Sequence, residues 1–161
     1  MADTSYLGTD LALGFGVVEG VTIAGPFSRV DLQTVRVGSK RARTFDLAVQ
    51  SGTNNLVQSL IVRMMTEVGE LAPLGHPTYG SRHHELIGEP NTESNRNLLK
   101  LYVIACIKQE ARVDRITQIA VVQGNGPEHR DEVDIKMTLL VKGTSDPLNL
   151  VIPFSFGGPL A

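Results

Sequence analysis

From Glu132 to Phe156 the chain alternates apolar and polar residues in two runs, and that pattern admits few folds. Val133, Ile135, Met137, Leu139 and Val141 fall on one side of the first run, with Asp134, Lys136, Thr138 and Lys142 largely filling the other. A period of two is the mark of a half-buried strand. Gly143-Thr144-Ser145-Asp146-Pro147 supplies a turn, after which Leu148, Leu150, Ile152, Phe154 and Phe156 alternate again. Together with a third strand signal from Arg115 to Gln123, these runs predict a C-terminal antiparallel sheet with one covered face. Pro153 interrupts the last run. Proline cannot donate to a ladder, so the last strand is expected at the sheet edge, where another chain can add to it.

Two helices precede the sheet. Leu56, Val57, Leu60, Ile61, Met64, Met65 and Val68 form one stripe at a period of 3.6, with Gln58, Ser59, Arg63 and Glu67 on the opposite face. Thr53 or Asn54 is the expected N-cap and Gly69 the expected stop. A patterned loop follows, in which Ser81 is placed to cap a short turn running to Ile87. The second helix is expected to start at an Asn91 or Thr92 cap, with Glu93 in its first turn, and to run to about residue 111. From Leu98 to Ile107 it is apolar nearly all round apart from Lys100, which predicts cover on more than one side. The expected class is α+β: a core helix and an amphipathic helix packed on a C-terminal antiparallel sheet, with short N-terminal strands.

At 161 residues, 42% hydrophobic and with formal charge -2, the chain suits one domain with a core of its own. A near-neutral balance argues against a protein that holds nucleic acid by neutralising phosphates. The local basic run Lys40-Arg41-Ala42-Arg43 is expected to be a solvated turn between strands. Cys106 is the sole cysteine and sits in an apolar run, so a buried thiol is expected, and no Cys/His spacing for structural zinc occurs. No stretch is long and apolar enough for a membrane span, and no signal-peptide pattern opens the chain, so cytoplasmic folding is expected. Before Asp46 the chain is rich in glycine; Phe15–Ala24 and Arg29–Val37 read as strands, and Phe45, Leu47 and Val49 alternate as a third leading into the first helix.

From Thr44 to Phe156 the order FDLAVQSG, NLVQSLIVRMMTEVGEL, PTYGSRHHELIGEP and KQEARVDRI resembles the baseplate wedge proteins of contractile tails. These are the gene-product-25 type of T-even phages, with the TssE subunit of type VI secretion and counterparts in extracellular injection particles. The motif residues that carry the resemblance are Arg63, Gly69, Glu70, Tyr79, Gly80 and Gly88, together with Glu110 and Arg112. The last two match the family's Glu-Pro-Arg signature, with Ala111 standing where that signature has proline. The resemblance divides the chain into an N-terminal extension, residues 1–43, and a wedge-type domain, residues 44–161.

The resemblance implies a non-catalytic subunit without cofactor or metal, assembled in the cytoplasm into a virion-like or injection particle. It would bind the sheath protein, other wedge proteins, and tube or hub proteins, and would start the sheath by strand exchange. No nucleic acid or membrane insertion is implied. Glu110, Arg112, Leu150, Ile152, Phe154 and Phe156 are the expected interface, the charged pair setting orientation. Two other readings stay open. One is a lysozyme-like glycoside hydrolase using Glu70 or Glu85, with Glu89 and the His76, His83 and His84 group nearby in sequence. Adjacent histidines on a helix point about 100° apart, which disfavours a shared metal. The other is a free-standing adaptor of the same fold.

Overall fold

The computed structural model describes residues 5–13, 17–18, 22–23, 32–37, 44–124, 126 and 129–157. In chain order these form β1 (Thr9–Leu11), β2 (Val17–Val18), β3 (Thr22–Ile23), β4 (Thr34–Val37), β5 (Thr44–Leu47), β6 (Val49–Ser51), α1 (Gly52–Met65), α2 (Glu93–Ile107), β7 (Val113–Gln123), β8 (Glu132–Val141) and β9 (Pro147–Ser155). The class is α+β, as the periodicities predict.

β8 lies between β7 and β9, antiparallel to both. Its residues Val133, Ile135, Met137, Leu139 and Val141 are buried, and so are Leu148, Leu150, Ile152, Phe154 and Phe156 of the following run. Both strictly alternating segments thus turn their apolar side inward. Leu56, Leu60, Ile61 and Met64 of α1 and Leu99, Val103, Cys106 and Ile107 of α2 complete the same core. The predicted Thr92 cap forms: its hydroxyl accepts from the Asn95 N–H at 3.2 Å.

The sheet order is β2-β3-β9-β8-β7, which corrects the expected place of the last strand. β9 is not outermost, because Thr22 pairs in parallel with Val151 on its far side. β7 ends the sheet on one side and β2 on the other. Pro153 lies beyond that single pair, where β3 makes no further one.

Helix boundaries moved for tertiary reasons. α1 starts at Gly52 with Ser51 at the cap position and no side-chain cap bond, so neither Thr53 nor Asn54 caps it. It ends before Gly69 because Thr66 turns extended and its carbonyl accepts the Ser81 N–H at 2.8 Å. Val68 is consequently exposed rather than part of the buried stripe. α2 stops at Ile107 instead of continuing to residue 111. Nor is it covered all round: Leu101 is 61% exposed.

The expected boundary at residues 43 and 44 is crossed by close packing. Leu7 is fully buried in the main core. β1 pairs antiparallel with β6, and the Tyr6 hydroxyl donates to the Lys142 carbonyl. Asn55 donates to the Leu7 carbonyl at 3.0 Å, and Gln58 bonds both the Leu11 carbonyl and the Leu13 N–H at 2.8 Å. Gln58 was expected on a solvent face; the N-terminal segment covers it. β4 and β5 pair antiparallel, joined by residues 38–43, so the run Lys40–Arg43 lies outside the described residues. Of the two early strand readings, Val17–Val18, Thr22–Ile23 and Thr34–Val37 are strand, and residues 15–16, 19–21, 24 and 29–31 lie outside the described set.

Candidate functional site

The loop after α1 and the end of α2 bring the two sequence motifs together. Arg112 grips Glu110 with Nε at 2.7 Å from Oε1 and Nη2 at 3.1 Å from Oε2, a bidentate pair. The Arg112 N–H adds a bond to Oε1 at 3.3 Å, and Nη1 donates to the Leu7 carbonyl at 2.9 Å. Arg63 approaches from α1, its Nη2 at 3.8 Å from Glu110 Oε2 and its guanidinium 4.3 Å from the centre of the Tyr79 ring. Arg63 was expected on the exposed face of α1, yet its side chain is 13% exposed.

Burial pushes the Glu110 carboxyl up, but the hydrogen bonds and charge of Arg112, helped by Arg63, hold it below the usual carboxylate range. Burial raises the Tyr79 hydroxyl against the opposing pull of Arg63. Gly80 lets Tyr79 take this position. Its φ is +114°, and a Cβ there would lie 2.6 Å from the Thr66 carbonyl oxygen. The bonds of Glu110 are therefore directed inward, joining α1, the end of α2 and the N-terminal segment. Replacing Glu110 with alanine leaves two guanidinium groups without their anion. We expect a loss of about 2 kcal/mol in urea unfolding at neutral pH, below the range for fully buried pairs because Arg112 keeps partial water contact.

Leu150, Ile152, Phe154 and Phe156 face the protein's own core, which corrects their expected availability to a partner's side chains. What β9 can offer a second chain is backbone. Its far edge already carries the Thr22 pair.

The outer edge of β7 has no strand beside it among the described residues. A groove of about 380 Å³ follows that edge, lined by Ile104 and Lys108 of α2 and by β7 residues that include Val113, Ile116 and Ile119. β7 carries register shifts between Val113 and Arg115 and between Ile116 and Gln118, then pairs without interruption from Gln118 to Gln123. Nothing in the sequence periodicity signalled this groove. The nearly all-apolar stretch Leu98–Ile107 hid which side of α2 lacks cover.

The carboxylates of the hydrolase reading have other partners. Glu85 is bound by Arg82 at 2.8 and 3.0 Å and by the Tyr102 hydroxyl at 3.2 Å. Its hydrogen bonds from Arg82 hold the carboxyl below its ordinary range, opposite to the shift a general acid needs. Glu70 accepts the Glu67 N–H at 3.1 Å on an exposed turn. His83 is buried beside Ser81, with Nδ1 2.9 Å from the hydroxyl, while His84 Nε2 lies 3.1 Å from the Met64 carbonyl. Among the described residues no three His, Cys, Asp or Glu side chains gather as a metal site, and no helix is long and apolar enough to cross a membrane. Cys106 is buried, and burial raises its thiol to about 11.

No protein-family model matches the sequence, and no curated protein matches it. Its fold is similar to that of a crystal structure of a "putative tail lysozyme" from Geobacter sulfurreducens, with a TM-score of 0.52 and 20% sequence identity. The likeness covers 63% of this chain and 87% of that one. At that identity the likeness is one of fold.

Proposed function

We propose that this chain is a structural subunit of a contractile tail or injection-system baseplate, joined to a sheath protein by strand addition at β7. The single observation that carries the reading is the outer edge of β7, unpaired among the described residues, beside the groove between α2 and β7. A strand laid there finds main-chain donors and acceptors at regular spacing, while its inward side chains reach Ile104 in the groove. The segment Gln118–Gln123 is the favoured template, since bulges disturb the part before it. The sequence motifs and the tail-type neighbour support a place in such a particle. The Glu110–Arg112 pair acts from within, fixing the turn from which β7 departs.

Hydrogen exchange of the purified protein, alone and with the sheath protein of its own system, tests this. We expect amides of residues 118–123 to slow about tenfold or more in the complex, with those of 149–152 unchanged. Slowing confined to 149–152 moves the junction to β9, and absence of any complex removes the sheath reading.

A hydrolase reading draws on the spacing of Glu70, Glu85 and Glu89 in the sequence and on the neighbour's description. We expect purified protein to leave peptidoglycan turbidity unchanged, and Glu85→Gln and Glu70→Gln variants to be indistinguishable from it. Clearing that depends on either carboxylate would establish the enzyme.

A further inference from the structure

The N-terminal strands expose apolar side chains that a lone molecule has no use for. The strand β5, Ala48 and β6 runs continuously, since the Ala48 N–H donates to the Gln33 carbonyl and its own carbonyl accepts the Ala12 N–H, both at 2.8 Å. Alternation then puts Phe45, Leu47 and Val49 on one face, and the register sets Leu11 opposite Val49. Phe45 is 64% exposed and Val49 68%, with Leu47 and Leu11 also open to solvent. On the other face of the β4–β5 pair Val35 and Val37 are exposed as well. A two-stranded ribbon is marginal in water, and apolar patches of this kind mark contact sites.

This ribbon is held ready. Asn55, Gln58 and Arg112 bond the main chain of the segment that leads into it, and Leu7 anchors that segment in the core. Preorganisation lowers the entropic cost of docking.

Charge indicates the occupant. By sequence, residues 34–47 hold Arg36 and, in the connection outside the described residues, Lys40, Arg41 and Arg43, against Asp46: a net charge of +3 in a chain of formal charge -2, so the remainder carries -5. Arg36 pairs directly with Phe45 across the ribbon, which sets a cation beside the apolar row. The chain also bears the complementary surface. From Met64 to Ser81 there is no lysine or arginine, while Glu67 and Glu70 are exposed beside Val68, and Leu74 farther along the loop is 72% exposed.

We propose that the ribbon of one copy docks on the acidic Glu67–Leu74 turn of a second copy of this chain. The two patches differ, so the contact closes reciprocally across a two-fold axis or repeats head to tail. It stands independently of the baseplate reading.

Sedimentation velocity of the full chain over a concentration series tests it. Association is expected to rise with concentration and to weaken about tenfold between about 0.05 M and about 0.5 M salt. The paired substitutions Phe45→Asp with Val49→Asp, and separately Glu67→Lys with Glu70→Lys, should each leave a folded monomer by circular dichroism. A mixture of the two variants should recover a heterodimer, because one intact ribbon then meets one intact turn. Wild-type protein that stays monomeric throughout overturns the proposal, as does association that survives the turn substitutions. Misfolding of the ribbon variant leaves the test with the turn variant, whose side chains are exposed.

Discussion

Replacing Phe156 with alanine is expected to lower the unfolding free energy of the isolated protein by about 4 kcal/mol. The side chain is fully buried and meets Phe154 edge to face, ring centres 5.1 Å apart at 85°. Its backbone is tied on both sides, the N–H donating to the Asp131 carbonyl at 2.8 Å and the carbonyl accepting the Gly88 N–H at 2.6 Å. A pocket pinned in this way cannot collapse onto the missing ring, and the cavity term is retained. Leu150→Ala, with a smaller side chain at another fully buried place, should lose about 3 kcal/mol. Urea unfolding of the isolated protein measures both. The alternative, in which these side chains wait for a partner, predicts variants of unchanged stability that fail only in assembly. A wild-type midpoint for Phe156→Ala would therefore return the residue to the interface.

The sheet was legible because its side chains obey a period of two on one covered face. Val133 to Val141 and Leu148 to Phe156 needed no further information. The second helix was equally readable at its start, where Thr92 caps it. What periodicity could not show was who covers whom. Gln58 and Arg63 look like solvent-facing positions of an amphipathic helix; one is bonded by the N-terminal segment and the other sits against Tyr79 and Glu110. Both contacts join residues far apart in sequence, and a local pattern carries no trace of them. Pro153 misled for a related reason. It reports that an N–H is missing, and the actual neighbour of β9 is a two-residue strand, Thr22–Ile23, too short to announce itself.

The candidate site was partly legible through residue type. Glu110 and Arg112 were singled out by motif, and they do bind each other, but their inward direction follows from Leu7, whose carbonyl receives Arg112 Nη1. That residue belongs to the segment before Thr44, outside the stretch whose motifs carry the resemblance. The groove along β7 follows from an absence of cover, and sequence registers a missing neighbour no better than a present one.

Acid is expected to destabilise this protein through His83 before any carboxylate is affected. The ring is 8% exposed, sits 4.0 Å from that of His84 and 5.5 Å from that of Phe154, and contacts the Ser81 hydroxyl. Burial first, and the neighbouring His84 second, lower its pKa from 6.5 to about 3. Between those values the unfolded chain carries a proton at this position and the folded one does not. Stability therefore rises with pH across the window and is lost as pH falls below about 6.5, by up to about 1.4 kcal/mol per unit. From neutral pH to about pH 4.5 the expected loss is roughly 2.5 kcal/mol. Glu110 acts in a separate range. Its folded pKa is depressed, so its contribution is complete above the ordinary carboxylate value of about 4.3 and disappears only below it. Urea midpoints at a series of pH values separate the two groups. His83→Gln keeps a polar partner for Ser81 and removes the titration, so its midpoint should fall much less than wild type between pH 6.5 and about 5. Equal slopes for the two proteins in that interval would show that His83 takes up its proton in the folded state without penalty, and that burial at this position is looser than its contacts indicate.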